Sequence, residues 1–361
     1  MSSPAGASAQ TPQGDAPYFP VVALLGGVPT VSVDVPISAV LLVLFVMAAA
    51  FNMTVLQINR RRDHKFILSG LLFGFCMARI TTLVMRIVWA THITNIRVAI
   101  ASNIFNSAGV LLLFIVNLIF TQRLLRAYHP NFGWHKVPTL MFRFLYFSIV
   151  ALLIMVITAT VISFYTLNRS VLQKCRTIQL FAGTYLAVLS FLPIPIVLAA
   201  WAWPRKNAIE KFGQGRFRTK VMLVLFTATL LSFGAGFRLG GSYDPRPRSA
   251  PAWYHHRAAF YCVNFVIELI VVYTYALMRF DRRFHIPDGS SAPGHYFNGV
   301  PGKGDQGTLA DHINTEAEAF GGGSDEDTAV VEGGSEGAAR RWDNRAAGDL
   351  EKQDNGEPIR S

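Results

Sequence analysis

The chain has 361 residues, of which 52% are hydrophobic and only 15% charged. A soluble domain carries about a quarter charged residues, so this composition excludes an ordinary soluble enzyme and indicates a membrane protein. The net charge of +11 divides into a basic part, residues 1–283, and an acidic part, residues 284–361; the basic side chains sit in short loops between apolar runs, so no nucleic-acid partner is expected.

Residues 1–34 hold no Lys or Arg and are rich in Ala, Gly, Pro and Ser. They lack a basic n-region, so no cleaved signal peptide is expected. They read as a short extracytosolic N-terminal segment. Seven apolar runs follow, each long enough to cross a bilayer as a helix. They lie at about 37–56, 66–90, 98–122, 144–165, 178–203, 221–239 and 258–280. Strand readings fail, because the runs are too long for strands and in lipid only helices or closed barrels satisfy the backbone. Pro193 and Pro195 should break the fifth run, since each removes an amide donor. The expected fold is therefore all-α: a polytopic seven-transmembrane bundle over 35–283, in the lipid bilayer of the plasma membrane or another secretory-pathway membrane.

Loop charge sets the orientation. The loops 57–65, 123–143 and 204–220, with Arg282 and Arg283, carry sixteen basic residues, against seven on the other side. The positive-inside rule places the N-terminus outside and the C-terminus in the cytosol. Asn168-Arg169-Ser170 is a glycosylation acceptor pattern in a loop that this topology places outside. From 284 the chain is acidic and Gly-rich, and it reads as a disordered cytosolic tail through 361.

Ionisable residues within a bilayer are costly and point to function by default. Arg79 and Arg86 share one face of the second run at 100° per residue. Arg257, Tyr261, Asn264, Glu268 and Tyr275 fall on one arc of the seventh, and Asn103, Asn106, Asn117 and Thr121 on one arc of the third. These stripes should face inward. Arg79 and Glu268 are both near mid-depth and form the natural ion pair. The network of Arg79, Arg86, Asn103, Asn106, Asn117, Asn264 and Glu268 has two readings: a ligand pocket or ion path, or a buried polar lattice that fixes helix register. The 204–220 loop interleaves Phe212 and Phe217 with its charges, so anionic lipid or a cytosolic partner could dock there. The three cysteines allow no disulfide framework. Cys175 and Cys262 could pair or remain buried thiols.

Several chemistries are missing. The seventh run has no Lys for a retinal Schiff base, no His lies within a helix core, and no Walker A pattern occurs. His255 and His256 are adjacent but have no further ligands for a metal. No enzyme activity, catalytic residue, cofactor or metal is expected.

The stretches His64-Lys65-Phe66, Ser69-Gly70-Leu71-Leu72-Phe73-Gly74-Phe75-Cys76-Met77-Ala78-Arg79 and Arg86-Ile87-Val88-Trp89-Ala90 are distinctive. So are Ala108-Gly109-Val110-Leu111-Leu112-Leu113-Phe114 and Asn117-Leu118-Ile119-Phe120-Thr121-Gln122-Arg123, with His129-Pro130 and Gly133-Trp134 beyond. They resemble a fungal family of seven-helix membrane proteins of unknown function, often labelled family-C-like G-protein-coupled receptor proteins. The resemblance is specific over 64–136 and looser elsewhere. It implies a fungal integral membrane protein with no established activity. The leading expectation is a receptor-like sensor of a small-molecule or lipid ligand, coupled to a cytosolic partner at the basic loops. The rivals are a transporter or lipid-translocating exporter, and a non-signalling membrane organiser.

Overall fold

The computed structural model describes residues 16–18, 23–61, 66–204 and 209–298. Seven helices in it are long and apolar enough to span a membrane. They are α1 (Val31–Arg61), α2 (Ile67–Thr91), α3 (Ile96–Tyr128), α4 (Lys136–Tyr165), α5 (Arg169–Ala202), α6 (Phe217–Tyr243) and α7 (Arg257–Leu277). Each contains one of the seven apolar runs nearly complete, with its ends extended into the polar flanks. Arg62, Lys65, Arg205 and Lys206 of the basic loops lie outside the described residues, as do 1–15, 19–22 and 299–361.

Local chemistry sets the ends. At the start of α1 the Thr30 amide donates to the Asp34 carboxylate at 2.8 Å, and the Asp34 amide donates back to the Thr30 carbonyl. This satisfies an orphan amide of the first turn. Asn168 caps α5 by accepting from the Ser170 amide at 3.0 Å. Helix α5 breaks at Leu192, where Pro193 begins a second segment, as the two prolines require. Within α7, Cys262–Val266 form a π-helical turn. Such a turn inserts an extra residue and rotates everything beyond it, and it is frequent at functional sites.

Helices α1, α2 and α3 pack most closely, α5 lies against α4 and α6, and α7 closes the bundle between α1 and α6. The exterior is apolar: Phe147 is 79% exposed and Met222 67%, with Val40, Phe144 and Phe233 also outward. In water such a surface would drive association; in lipid it faces matching hydrocarbon. Polar side chains are gathered inside instead. Seven apolar spans with this inverted surface define a multi-pass integral membrane protein in contact with the bilayer.

The end of the bundle that bears the chain's C-terminal segment is sealed by aromatics. Phe284 stacks on Phe120 with centroids 4.0 Å apart, and Phe280 and Tyr275 pack edge-on or tilted around them. Tyr296 is fully buried between Trp134 and Phe212. The Gly294 amide donates to Glu210 at 2.6 Å, and Arg123 donates to the Phe284 carbonyl. Gly213, at φ +56°, lets the 212–215 turn approach the Arg282–Arg283 backbone, where any Cβ would collide.

Two expectations are corrected here. The tail does not leave the bundle at 284: residues 284–298 pack beneath it, because Phe284 and Tyr296 bring apolar area that composition averaged over the acidic tail conceals. Phe212 and Phe217 are core residues, not rings displayed for a lipid or partner. Lys220 is buried with them and donates to the Phe212 carbonyl. That basic loop is partly an internal tie.

Candidate functional site

Three polar clusters succeed one another along the bundle axis. The α7 members are Tyr261, Glu268 and Tyr275, seven residues apart and therefore about 10 Å apart in depth.

The first cluster, at the bundle end opposite the aromatic seal, centres on Asp34 of α1. Its Oδ1 accepts from the Tyr261 hydroxyl at 2.8 Å and from Arg86 of α2 at 2.9 Å. Its Oδ2 takes the Thr30 amide and faces Arg257 at 3.3 Å. Arg86 also donates to the Gly26 carbonyl at 2.9 Å and lies 4.3 Å above the Phe260 ring. Gly26 sits at φ +78°, and a Cβ there would meet that ring at 2.6 Å, so only glycine brings this carbonyl to Arg86.

The second cluster is Arg79 with Glu268. The guanidinium engages the carboxylate twice, at 2.5 Å and 2.7 Å, and its remaining nitrogen donates to the Asn106 backbone and side-chain oxygens at 2.9 Å and 3.0 Å. Arg79 is 0% exposed and Glu268 1%, a depth at which only such bidentate pairing offsets the desolvation of both charges. A second guanidinium, Arg238 of α6, reaches Glu268 Oε1 and Asn264 Oδ1, both at 3.3 Å.

The third cluster is neutral. Asn117 Oδ1 accepts from Thr227 at 3.0 Å and from Tyr275, and those two hydroxyls are 3.0 Å apart. Below it the Phe120–Phe284 stack closes the interior.

Of the residues singled out from sequence, Arg79, Asn106, Asn264 and Glu268 meet in one cluster, Arg86 belongs to the first and Asn117 to the third. Asn103 is half-exposed on α3 and stands outside these contacts. Asn168 is exposed in the loop before α5. Cys175 and Cys262 are not bonded to each other; the first is buried and the second exposed as free thiols. Asp34 and Arg238 were missed, although both are central. Each falls at the edge of an apolar run, where a hydropathy boundary separates it from the span it belongs to. Residues 1–283 hold only seven acidic residues, so asking where each finds a cation would have reached Asp34. The even arc predicted for α7 is also corrected: the π-helical turn between Tyr261 and Glu268 changes the rotation between them.

A cavity of about 530 Å³ opens at the same end as the first cluster. Its wall is built from the 23–28 segment and the 248–257 segment, including Leu24, Val28, Arg248, Trp253, His255 and Arg257. Gly26 and Arg257 belong both to this wall and to the Asp34 cluster, so the cavity and the buried charges are directly joined. His255 is 5% exposed, and its Nδ1 has no hydrogen-bond partner. Burial lowers its pKa below the ordinary histidine value, which keeps the ring neutral near pH 7. Among the described residues no group of three or more His, Cys, Asp or Glu is arranged to hold a metal.

The fold and this interior define a multi-pass membrane protein with a buried ionic column. The profile of the family described as "Protein of unknown function (DUF3112)" matches residues 130–218 and 206–285. The match covers α4 to α7 and runs into the Phe284 segment. It overlaps 64–136, the stretch that carried the sequence resemblance, only at 130–136. No curated protein and no solved structure matches the chain.

Proposed function

We propose that this chain is a receptor-like seven-helix sensor without catalytic activity, set in the plasma membrane or another secretory-pathway membrane. Its cavity end faces out and its aromatic seal faces the cytosol. The observation that carries the reading is the continuity of the polar column: the cavity wall shares Gly26 and Arg257 with the Asp34 cluster, and the spacing on α7 continues through Glu268 to Tyr275, which touches the seal. A ligand that shifts Arg257 or Gly26 alters the partners of Asp34, and α7, which contributes to all three clusters, carries that change to the other end.

The interior favours a sensor over a transporter. A transporter needs water to reach the central charges from both faces, whereas here Glu268 is buried and stacked rings lie below Tyr275. Two measurements on one preparation separate the readings. Cross-linking from native membranes should recover a G-protein subunit dependent on the 123–143 loop, and proteoliposomes should show no solute or lipid flux. Flux that is abolished by Glu268→Gln, without any subunit recovered, overturns the sensor.

A further inference from the structure

We propose that the Arg238 guanidinium binds a small oxyanion, a carboxylate or phosphate group, that reaches the Glu268 cluster from the cavity end of the bundle. The inference rests on the sensor reading for its role but not for its existence, since it concerns binding alone.

The first ground is a charge count. Glu268 carries two guanidinium groups and can balance one. Arg79 takes both of its oxygens, at 2.5 Å and 2.7 Å, whereas Arg238 reaches it through Nη1 alone at 3.3 Å. Among the described residues no other carboxylate is free to serve Arg238. Asp34 is held by Arg86 and Arg257, and Asp244 by Tyr254 and Arg246. Glu210, Asp281 and Asp288 lie at the sealed end. The Glu268 cluster thus holds one positive charge in excess. Arginine does not shed its proton, and an unbalanced charge at this depth is costly. A bound anion removes that cost.

The second ground is an open donor edge. Both side-chain bonds of Arg238, to Glu268 Oε1 and Asn264 Oδ1, leave from Nη1. Its Nε and Nη2 have no hydrogen-bond partner among the described residues. These two nitrogens form the same edge that Arg79 sets against Glu268, with parallel N–H groups spaced for two oxygens of a carboxylate or phosphate. The edge is accessible: the side chain is 20% exposed, and neither nitrogen is sealed without a partner in the way that Asn117 Nδ2 is.

The third ground is direction. Arg238 lies five residues before Tyr243, the last residue of α6, or about 7–8 Å in depth. An arginine so placed commonly snorkels outward to water. Here the side chain runs inward over Gly234, where a Cβ would lie 3.8 Å from Nη1. At 100° per residue Leu231, Gly234, Arg238 and Ser242 share one face of α6. Leu231 and Gly234 are buried, Arg238 is partly exposed and Ser242 is exposed. The face is therefore closed below Arg238 and open above it, toward the cavity end. Asn106 of α3, which accepts from Arg79, is half-exposed as well. One excess charge and one free fork edge call for a single small oxyanion group. A dissolved anion and a lipid headgroup both present that chemistry.

The test uses the full chain in phosphatidylcholine nanodiscs, with thermal unfolding followed as three isosteric probes are added: formate, formamide and formamidinium. A ligand that binds the folded chain raises Tm by mass action. At a hundredfold excess over its Kd, formate should raise Tm by about 5–10 °C, and the neutral and cationic probes should leave it unchanged. Arg238→Gln should abolish the rise, and Glu268 keeps both bonds to Arg79 in that variant, which retains the bundle. Arg238→Lys keeps the charge and loses the fork, so it should weaken formate about tenfold; it decides the question if Arg238→Gln fails to fold. Discs doped with phosphatidylglycerol separate the sources. A Tm raised in the parent but not in Arg238→Gln, with no further response to formate, assigns the site to a lipid headgroup; an undiminished response to formate assigns it to a dissolved anion. No rise with formate, an equal rise with formamide, the same rise in a folded Arg238→Gln chain, full formate affinity in Arg238→Lys, or chloride as effective as formate overturns the proposal. Formate binding with no G-protein subunit recovered leaves the site standing and removes the sensor role, and a recovered subunit without formate binding does the reverse.

Discussion

Glu268 joins two cations, and this sets an ordering among substitutions at the bundle centre. Arg79→Gln removes two short charge-assisted bonds, but Glu268 keeps Arg238 at 3.3 Å. A carboxyl can also neutralise itself by taking a proton, which a guanidinium cannot do. Glu268→Gln instead strands Arg79, which is fully buried, and deprives Arg238, which is 20% exposed. Breaking a buried pair from one side costs about 3–5 kcal/mol. We place Arg79→Gln near the low end, at about 3 kcal/mol, and Glu268→Gln near the high end, at about 5 kcal/mol. The double substitution leaves only Arg238, which can turn toward the exterior, so it should recover about 2–3 kcal/mol of the summed loss. At roughly 2–4 °C per kcal/mol for a unit of this size, Glu268→Gln lowers Tm by about 10–20 °C. A double-mutant cycle on thermal unfolding in nanodiscs measures all four species. Effects additive within about 0.5 kcal/mol, or a larger loss from Arg79→Gln than from Glu268→Gln, would refute the reasoning.

Three further outcomes follow from the same contacts. Ending the chain after residue 298 keeps every described contact and should move Tm by no more than about 2 °C, whereas ending it after 283 removes the buried Phe284 and Tyr296, each worth about 3–5 kcal/mol by analogy with aromatic truncations, and should lower Tm severely. Burial raises the Glu210 pKa above the ordinary 4.5, so the neutral acid is the form the fold favours. Its contribution is complete below that ordinary value and is lost as pH rises through the raised one, so Glu210→Gln, which keeps an acceptor for Gly294, should gain in Tm over the parent as pH rises through the range above 4.5. A gap that narrows over that range contradicts the account. Finally, an epitope at the C-terminus should resist external protease in sealed right-side-out vesicles, and Asn168 should accept a glycan on passage through the secretory lumen. Digestion of the epitope reverses the orientation.

Hydropathy by itself determined the seven spans, because whether a segment of about twenty residues prefers lipid is a property of that segment alone. The Pro193 break was legible for the same reason: a missing amide donor is a local fact. Arg79 and Glu268 could be matched because depth in a helix counts linearly along the chain, and two opposite charges at one depth have little choice of partner. Beyond that, the tertiary structure decided. Asp34 and Arg238 sit where hydropathy fades, so their membership in the column depends on which neighbouring helix they meet. The π-helical turn at Cys262–Val266 sets the rotation of Glu268 relative to Tyr261, and a uniform 3.6-residue period does not contain it. Phe284 and Tyr296 look like members of an acidic tail until α3, the 209–216 turn and Trp134 surround them. Each of these placements is a contact between segments far apart in the chain, and the energy that selects it arises only once both sides are folded.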